Sequence, residues 1–210
     1  AMRRQLLLAK LLRHFRLGDH CPTRPQAMLL ANSLAQLLDQ LYNADASAAA
    51  LRDLLPDDFS AHWQDILALL TILIERWPAI LASEGAMDAV DRRNSFIRWQ
   101  AQHWQETQPD NLIVVAGSTG SIKATRDLIS VVAALPNGYV VVPGLDRGAG
   151  DLWDDIAADS SHPQHSLAEL LDALSLAPDQ VQDWPRLPVA LPTQQARRQF
   201  IREIFRPAAV

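Results

Sequence analysis

From the N-terminus to about residue 107, apolar positions fall three or four apart, the spacing of helices with one face turned inward. Residues 3–17 set Leu7, Leu8, Leu11, Leu12 and Phe15 against Arg4, Lys10, Arg13 and Arg16, and Gly18 is a fitting stop. This basic amphipathic pattern fits a packed helix with a solvated basic face better than a phosphate- or membrane-contacting one. Residues 21–25, with two prolines, read as a loop. Residues 26–42 give a second helix with Leu29, Leu30, Leu34, Leu37, Leu38 and Leu41 on a broad face. An Ala-rich stretch, 44–55, predicts a short third helix ending at Pro56. Another helix opens at 57–60, capped by Asp58 or Ser60, and runs through Trp63, Ile66, Leu70, Ile74 and Trp77; Pro78 should kink it without stopping it, because Ile80 and Leu81 keep the phase. After Gly85, residues 87–107 predict a fifth helix with Phe96, Ile97 and Trp99 inward. The first 108 residues therefore read as an all-helical block.

The period changes in the second half, residues 109–210. Leu112 to Val115 is a continuous apolar run, the mark of a strand buried on both faces. Gly117, Ser118, Thr119, Gly120 and Ser121 turn the chain, and Ser121 is placed to cap a helix starting at Ile122. Pro136-Asn137-Gly138 ends that helix, and Tyr139 to Val142 gives a second buried strand. Strand, crossover helix and strand of this length predict a parallel βαβ unit. Short helices follow around Trp153 and Ile156 and around Leu167 to Leu174. Residues 178–192 read as loop with one helical turn, and Thr193 caps a last helix over 194–205 bearing Arg197, Arg198, Arg202 and Arg206. The fold class is α/β: a large helical block joined to an incomplete parallel βαβ core. Parallel strands need both faces covered and several neighbours, so two strands in 210 residues predict a piece of something larger.

Composition changes little in this picture. Hydrophobic content of 49% and charged content of 20% are those of an ordinary globular chain. A net charge of −5 offers no overall attraction for nucleic acid, although basic residues gather at both ends. The single cysteine, Cys21, excludes an internal disulfide and a four-cysteine metal site, and points to a reducing cytoplasm. Residues 1–8 do not form a secretory signal, and no run approaches the about 18 apolar residues of a membrane span.

The Gly117–Lys123 segment invites chemistry but matches no catalytic motif. A phosphate-binding P-loop needs a glycine, four intervening residues, then Gly-Lys, and Lys123 follows Ile122. A dinucleotide fingerprint needs glycine where Lys123 stands. A Gly-x-Ser-x-Gly nucleophile elbow is absent. What remains is a nest of N–H groups at a helix start, with hydroxyls from Ser118, Thr119 and Ser121: either a generic anion site or a tight turn that needs glycine for geometry. His162 and His165, with Asp154 and Asp155, read as surface residues and not as a metal cluster. No catalytic set and no metal site is predicted.

Further residues carry a resemblance. Ala116-Gly-Ser-Thr-Gly-Ser-Ile122 with Ala124-Thr125, Leu135-Pro-x-Gly138, and Val140-Val-x-Pro143-Gly144-Leu145-Asp146 resemble the AddB subunit family of AddAB helicase–nucleases in its alphaproteobacterial form. Glu75-Arg-Trp-Pro-Ala-Ile-Leu81, His162-Pro-Gln164 and Phe205-Arg-Pro207 match as well; Lys123 stands where that pattern has proline. The resemblance implies a segment of the helicase-like N-terminal portion of a subunit that repairs double-strand breaks, a degenerate P-loop helicase-like domain. It implies an AddA-type partner subunit, single-stranded or unwinding double-stranded DNA, no membrane, and ATP and magnesium in the parent complex with no cofactor in this segment. Gly117, Ser118, Thr119, Gly120, Ser121 and Lys123 would contact the DNA backbone, and Pro143, Gly144, Leu145 and Asp146 would end a degenerate motif strand. The alternative from the residues alone is a small α/β enzyme holding a nucleotide or phosphorylated ligand at the Gly117–Ser121 turn.

Overall fold

A computed structural model describes residues 2–14, 21–47, 71–184 and 192–207. The expected stop at Gly18, the third helix beyond residue 47 and the start of the fourth lie outside these residues. The chain divides into two compact units, Ala1–Phe96 and Ile97–Val210.

In the first unit, α1 (Met2–Leu12) packs on α2 (Arg24–Ala44). Leu8 and Leu12 meet Ala27, Ala31, Leu34, Ala35 and Leu38, and Ile72, Leu73 and Trp77 complete this core. Each large apolar side chain buried here contributes about 1.5–3 kcal/mol. Arg4, expected on the solvated face of α1, is drawn inward: its Nη1 donates to Asp39 Oδ1 at 2.7 Å and its Nη2 to the Ala35 carbonyl at 3.1 Å. α2 starts two residues earlier than its spacing predicts. Pro25 is tolerated in the first turn, where its missing N–H costs nothing, and Gln26 Oε1 reaches back to the Thr23 N–H at 2.9 Å.

Pro78 is accommodated as expected without ending the helix. The turn before it, Ile72–Arg76, widens to a π-helix, and the Trp77 N–H reaches the Ile72 carbonyl. The wider turn relieves the clash a proline ring makes with the carbonyl four residues back. α3 (Trp77–Ser83) follows, with Trp77 Nε1 donating to buried Asp88 Oδ2 at 2.7 Å. Arg4 Nε lies 2.9 Å from the other Asp88 oxygen, off the N–H axis, so the contact is an ion pair and not a hydrogen bond.

α4 (Ala89–Thr107) corrects one expectation. Phe96 and Trp99 point outward, 63% and 59% exposed. The face turned inward instead carries Asn94 and Ala101, and Asn94 Nδ2 donates to the Tyr42 carbonyl at 2.7 Å, near the end of α2. A buried amide with a partner holds this helix where an apolar stripe was expected.

The second unit contains a two-stranded parallel sheet of β1 (Ile113–Ala116) and β2 (Gly138–Val141), joined by α5 (Lys123–Ala134). The register pairs Ile113 with Gly138 and Ala116 with Val141. Gly138 is required: a Cβ there would sit 1.8 Å from the Val132 carbonyl oxygen, at the end of α5. α6 (Trp153–Ala158), α7 (His165–Ala173) and α8 (Pro192–Ile204) follow. Thr193, expected as the cap of α8, lies inside its first turn. Val115, Val140 and Val142 on one sheet face pack on Ile129, Leu167 and Leu170. Among the described residues the other face is largely open, with Val114 50% and Tyr139 59% exposed, so the close packing falls on one side where both sides were expected. The fold class is α/β, mostly helical with a small two-stranded parallel sheet.

Candidate functional site at the glycine turn

Because β1 and β2 are parallel, the turn after β1 and the segment after β2 emerge at the same end of the sheet. The Gly117 N–H donates to the Val141 carbonyl at 3.0 Å and ties them there. Gly117 and Gly120 take φ of 81° and 68°, a region costly for other residues. Gly120 is also closely packed, with Leu170 Cδ1 3.3 Å from where a Cβ would be. Its N–H donates to Ser118 Oγ at 3.2 Å, and its carbonyl accepts from Arg126 Nη1 at 3.2 Å. Arg126 is held in turn by Glu169 on α7, at 2.7 Å.

Ser121 does not cap the helix. The N-cap is Ile122, in extended conformation, and the first intrahelical bond of α5 runs from the Arg126 N–H to the Ile122 carbonyl at 2.9 Å. Ile122 offers no side-chain cap to the start of α5, where the first N–H groups and the positive end of the helix dipole lie. The hydroxyls of Thr119 and Ser121 engage no described residue, and Gly117 to Ile122 contains no carboxylate. Lys123, the expected phosphate contact, pairs with Asp127 at 2.8 Å within α5, both side chains nearly half exposed. Such a pair is weak and can exchange for a phosphate.

The segment after β2 does structural work. Gln164 holds it by two bonds: its Oε1 accepts from the Asp146 N–H at 3.0 Å, and its Nε2 donates to the Gly144 carbonyl at 3.0 Å. Leu145 packs beside the sheet, and Pro143 is exposed. Asp146 accepts both prongs of Arg202 from α8, Nε at 2.7 Å and Nη2 at 2.5 Å. It also accepts the Gly148 N–H at 3.1 Å. The Arg202 guanidinium holds the Asp146 carboxyl below the usual carboxylate range, against the opposing effect of partial burial.

His162 and His165, expected at the surface, are both half-buried. The His162 tautomer follows from its partners: Nδ1 accepts from the Gln164 N–H at 3.0 Å, so Nε2 carries the proton and donates to the Phe205 carbonyl at 2.9 Å. Among the described residues, no three His, Cys, Asp or Glu gather as a metal site, and no helix is long and apolar enough to cross a membrane. Gln164, Arg126 and Arg202 are the partners that sequence reasoning missed. Only the His-Pro-Gln run and the arginines of the last helix could have signalled them. A groove lined by Gln105, Gln108, Ser130, Val131, Ala134 and Leu135 flanks the other end of α5, and takes no part in the turn.

No known protein family, curated protein or solved structure matches this chain.

Proposed function

We propose that the chain is a non-catalytic segment of an AddB-type subunit of a double-strand break repair helicase–nuclease, contacting single-stranded DNA during end resection. The observation that carries this reading is the uncapped start of α5 at the carboxyl end of a parallel strand. Ser118, Thr119 and Ser121 precede it in the chain, and residues 117–122 include no carboxylate. Open α/β sheets hold ligands at that end, and helix N-termini take phosphate. In this reading an AddA-type subunit is the partner, the compartment is the cytoplasm, and the fold is a degenerate P-loop helicase-like domain.

ATP and magnesium belong to the parent complex in this reading, and the residues at hand do not fit them. The end of β1 offers Ala116, Gly117, Ser118 and Thr119 where a helicase places an acid for magnesium. The carboxylate after β2, Asp146, is taken by Arg202.

Fluorescence anisotropy of a labelled oligothymidylate, titrated at several salt concentrations, tests the proposal. Binding should weaken with salt, the slope of log affinity against log salt being about −0.7 per phosphate engaged. Lys123→Ala should reduce that slope by about 0.7, and Ser118→Ala should weaken binding at every salt. Absence of binding at low salt by a protein with intact circular dichroism would overturn the reading. Stoichiometric binding of a mononucleotide at the turn, without oligonucleotide binding, would replace it with a phosphorylated-ligand site.

A further inference from the structure

α4 carries a stripe of rings that the packing does not use. Trp99 and His103 lie one turn apart with their planes parallel, 1° between them and centroids 5.4 Å apart. Phe96 precedes Trp99 on the same face of the helix, and both are more than half exposed. Exposed Arg92 extends the stripe, the four residues following the i, i+4, i+7, i+11 spacing of one helical face. Asn94 and Ala101, the buried positions, lie off this stripe.

The chemistry of the stripe narrows its occupant. Flat parallel rings with an arginine at one end match the stacking surfaces of single-strand binders, which tolerate any base because every base has a π face. The Trp99 and His103 ring centroids stand 5.4 Å apart, and Phe96 sits about 4.5 Å further back along the backbone of the helix. Both spacings exceed the about 3.4 Å between stacked bases, so each ring suits one unstacked base. Glu106, one turn beyond His103, accepts from Gln102 at 2.9 Å.

We propose that Phe96, Trp99 and His103 form a platform for the bases of single-stranded nucleic acid, with Arg92 meeting a backbone phosphate. This rests on the DNA reading above but concerns bases, whereas the glycine turn concerns phosphates. The two therefore fail separately.

The same anisotropy titration is run with an oligothymidylate and with an abasic strand of equal length. Trp99→Ala should weaken oligothymidylate binding about 5- to 100-fold at every salt, leaving the salt slope unchanged. Trp99→Phe should recover most of that affinity, and the abasic strand should bind the parent no better than oligothymidylate binds Trp99→Ala. Trp99 is exposed, so its truncation leaves the fold intact. Equal binding of the two strands, or full affinity in both Trp99→Ala and His103→Ala, would overturn the platform while leaving the DNA reading standing. No binding of either strand to the folded parent would overturn both.

Discussion

The attachment of α8 to the second unit is open to perturbation. The helix has no buried residue, and a free helix of 13 residues is marginal in water. Its ties to the unit include the Arg202–Asp146 fork and, just beyond the helix, the bond from His162 to the Phe205 carbonyl and the edge-on contact of the two rings. The fork side chains are 34% and 28% exposed, so water screens the pair in part. An exposed pair contributes about 0.2–1 kcal/mol, and two-pronged, charge-assisted geometry raises that toward about 1–2 kcal/mol. Arg202→Ala should therefore cost about 1–2 kcal/mol in the docking of α8, with the unit's core unaffected. Arg202→Lys, which keeps charge but loses the fork, should cost about half as much. Hydrogen exchange over residues 192–204 reads the docking directly, and a double-mutant cycle with Asp146→Asn isolates the pair. The pH dependence has a definite sign. Asp146 has its folded pKa depressed, so the stability it contributes is full above the unfolded carboxylate value of about 3.9 and is lost as pH falls through the folded value. Exchange over α8 should accelerate on acidification in the parent and change less in Asp146→Asn. Equal protection of α8 in parent and Arg202→Ala, or a coupling under about 0.3 kcal/mol, would refute the clasp.

Two further substitutions probe other joints. Gly117→Ala and Gly120→Ala both place a side chain at positive φ, for about 1–2 kcal/mol each. Open space surrounds Gly117, whereas Leu170 crowds Gly120, so urea denaturation should show Gly120→Ala less stable by about 1 kcal/mol more; equal losses would contradict the packing of the turn on α7. Trp77→Phe removes the indole N–H donor to Asp88 Oδ2 and leaves the buried carboxylate to its ion pair with Arg4 and its hydrogen bond with the Tyr42 side chain. The expected loss is about 2–4 kcal/mol by denaturation, and a loss under about 1 kcal/mol would mean the indole N–H is not needed there.

The legible parts of this chain were those where one period dominates. The leucines of α2, the β-branched run of β1 and the Pro-Asn-Gly stop after α5 each state their element, and the parallel βαβ unit followed from their order. Spacing failed where a polar residue took an inward position. Asn94 is buried because its amide finds the Tyr42 carbonyl, and this turns Phe96 and Trp99 outward against their hydrophobicity. Spacing also overstated β1: an apolar run signals cover on both faces, and only the α5 and α7 side is covered here. At the glycine turn the residues were legible and the cap was not, since Ser121 and Ile122 differ by one position in where the helix begins.

Three of the pieces that carried the resemblance meet in space. Pro143 to Asp146, His162 to Gln164 and Phe205 are separated in sequence, yet Gln164 binds both Gly144 and Asp146, and His162 binds both Gln164 and Phe205. Each of these contacts joins a side chain to backbone, which demands a particular residue at a particular place without any chemistry on a substrate. The Gly-Ser-Thr-Gly-Ser run behaves differently. Its glycines are explained by φ and by Leu170, and the Ser118 hydroxyl by the Gly120 N–H, whereas the Thr119 and Ser121 hydroxyls and the start of α5 serve no described partner. Structure accounts for the first knot completely and for the turn only in part, so the donors of the turn are the groups the proposed phosphate contact would use.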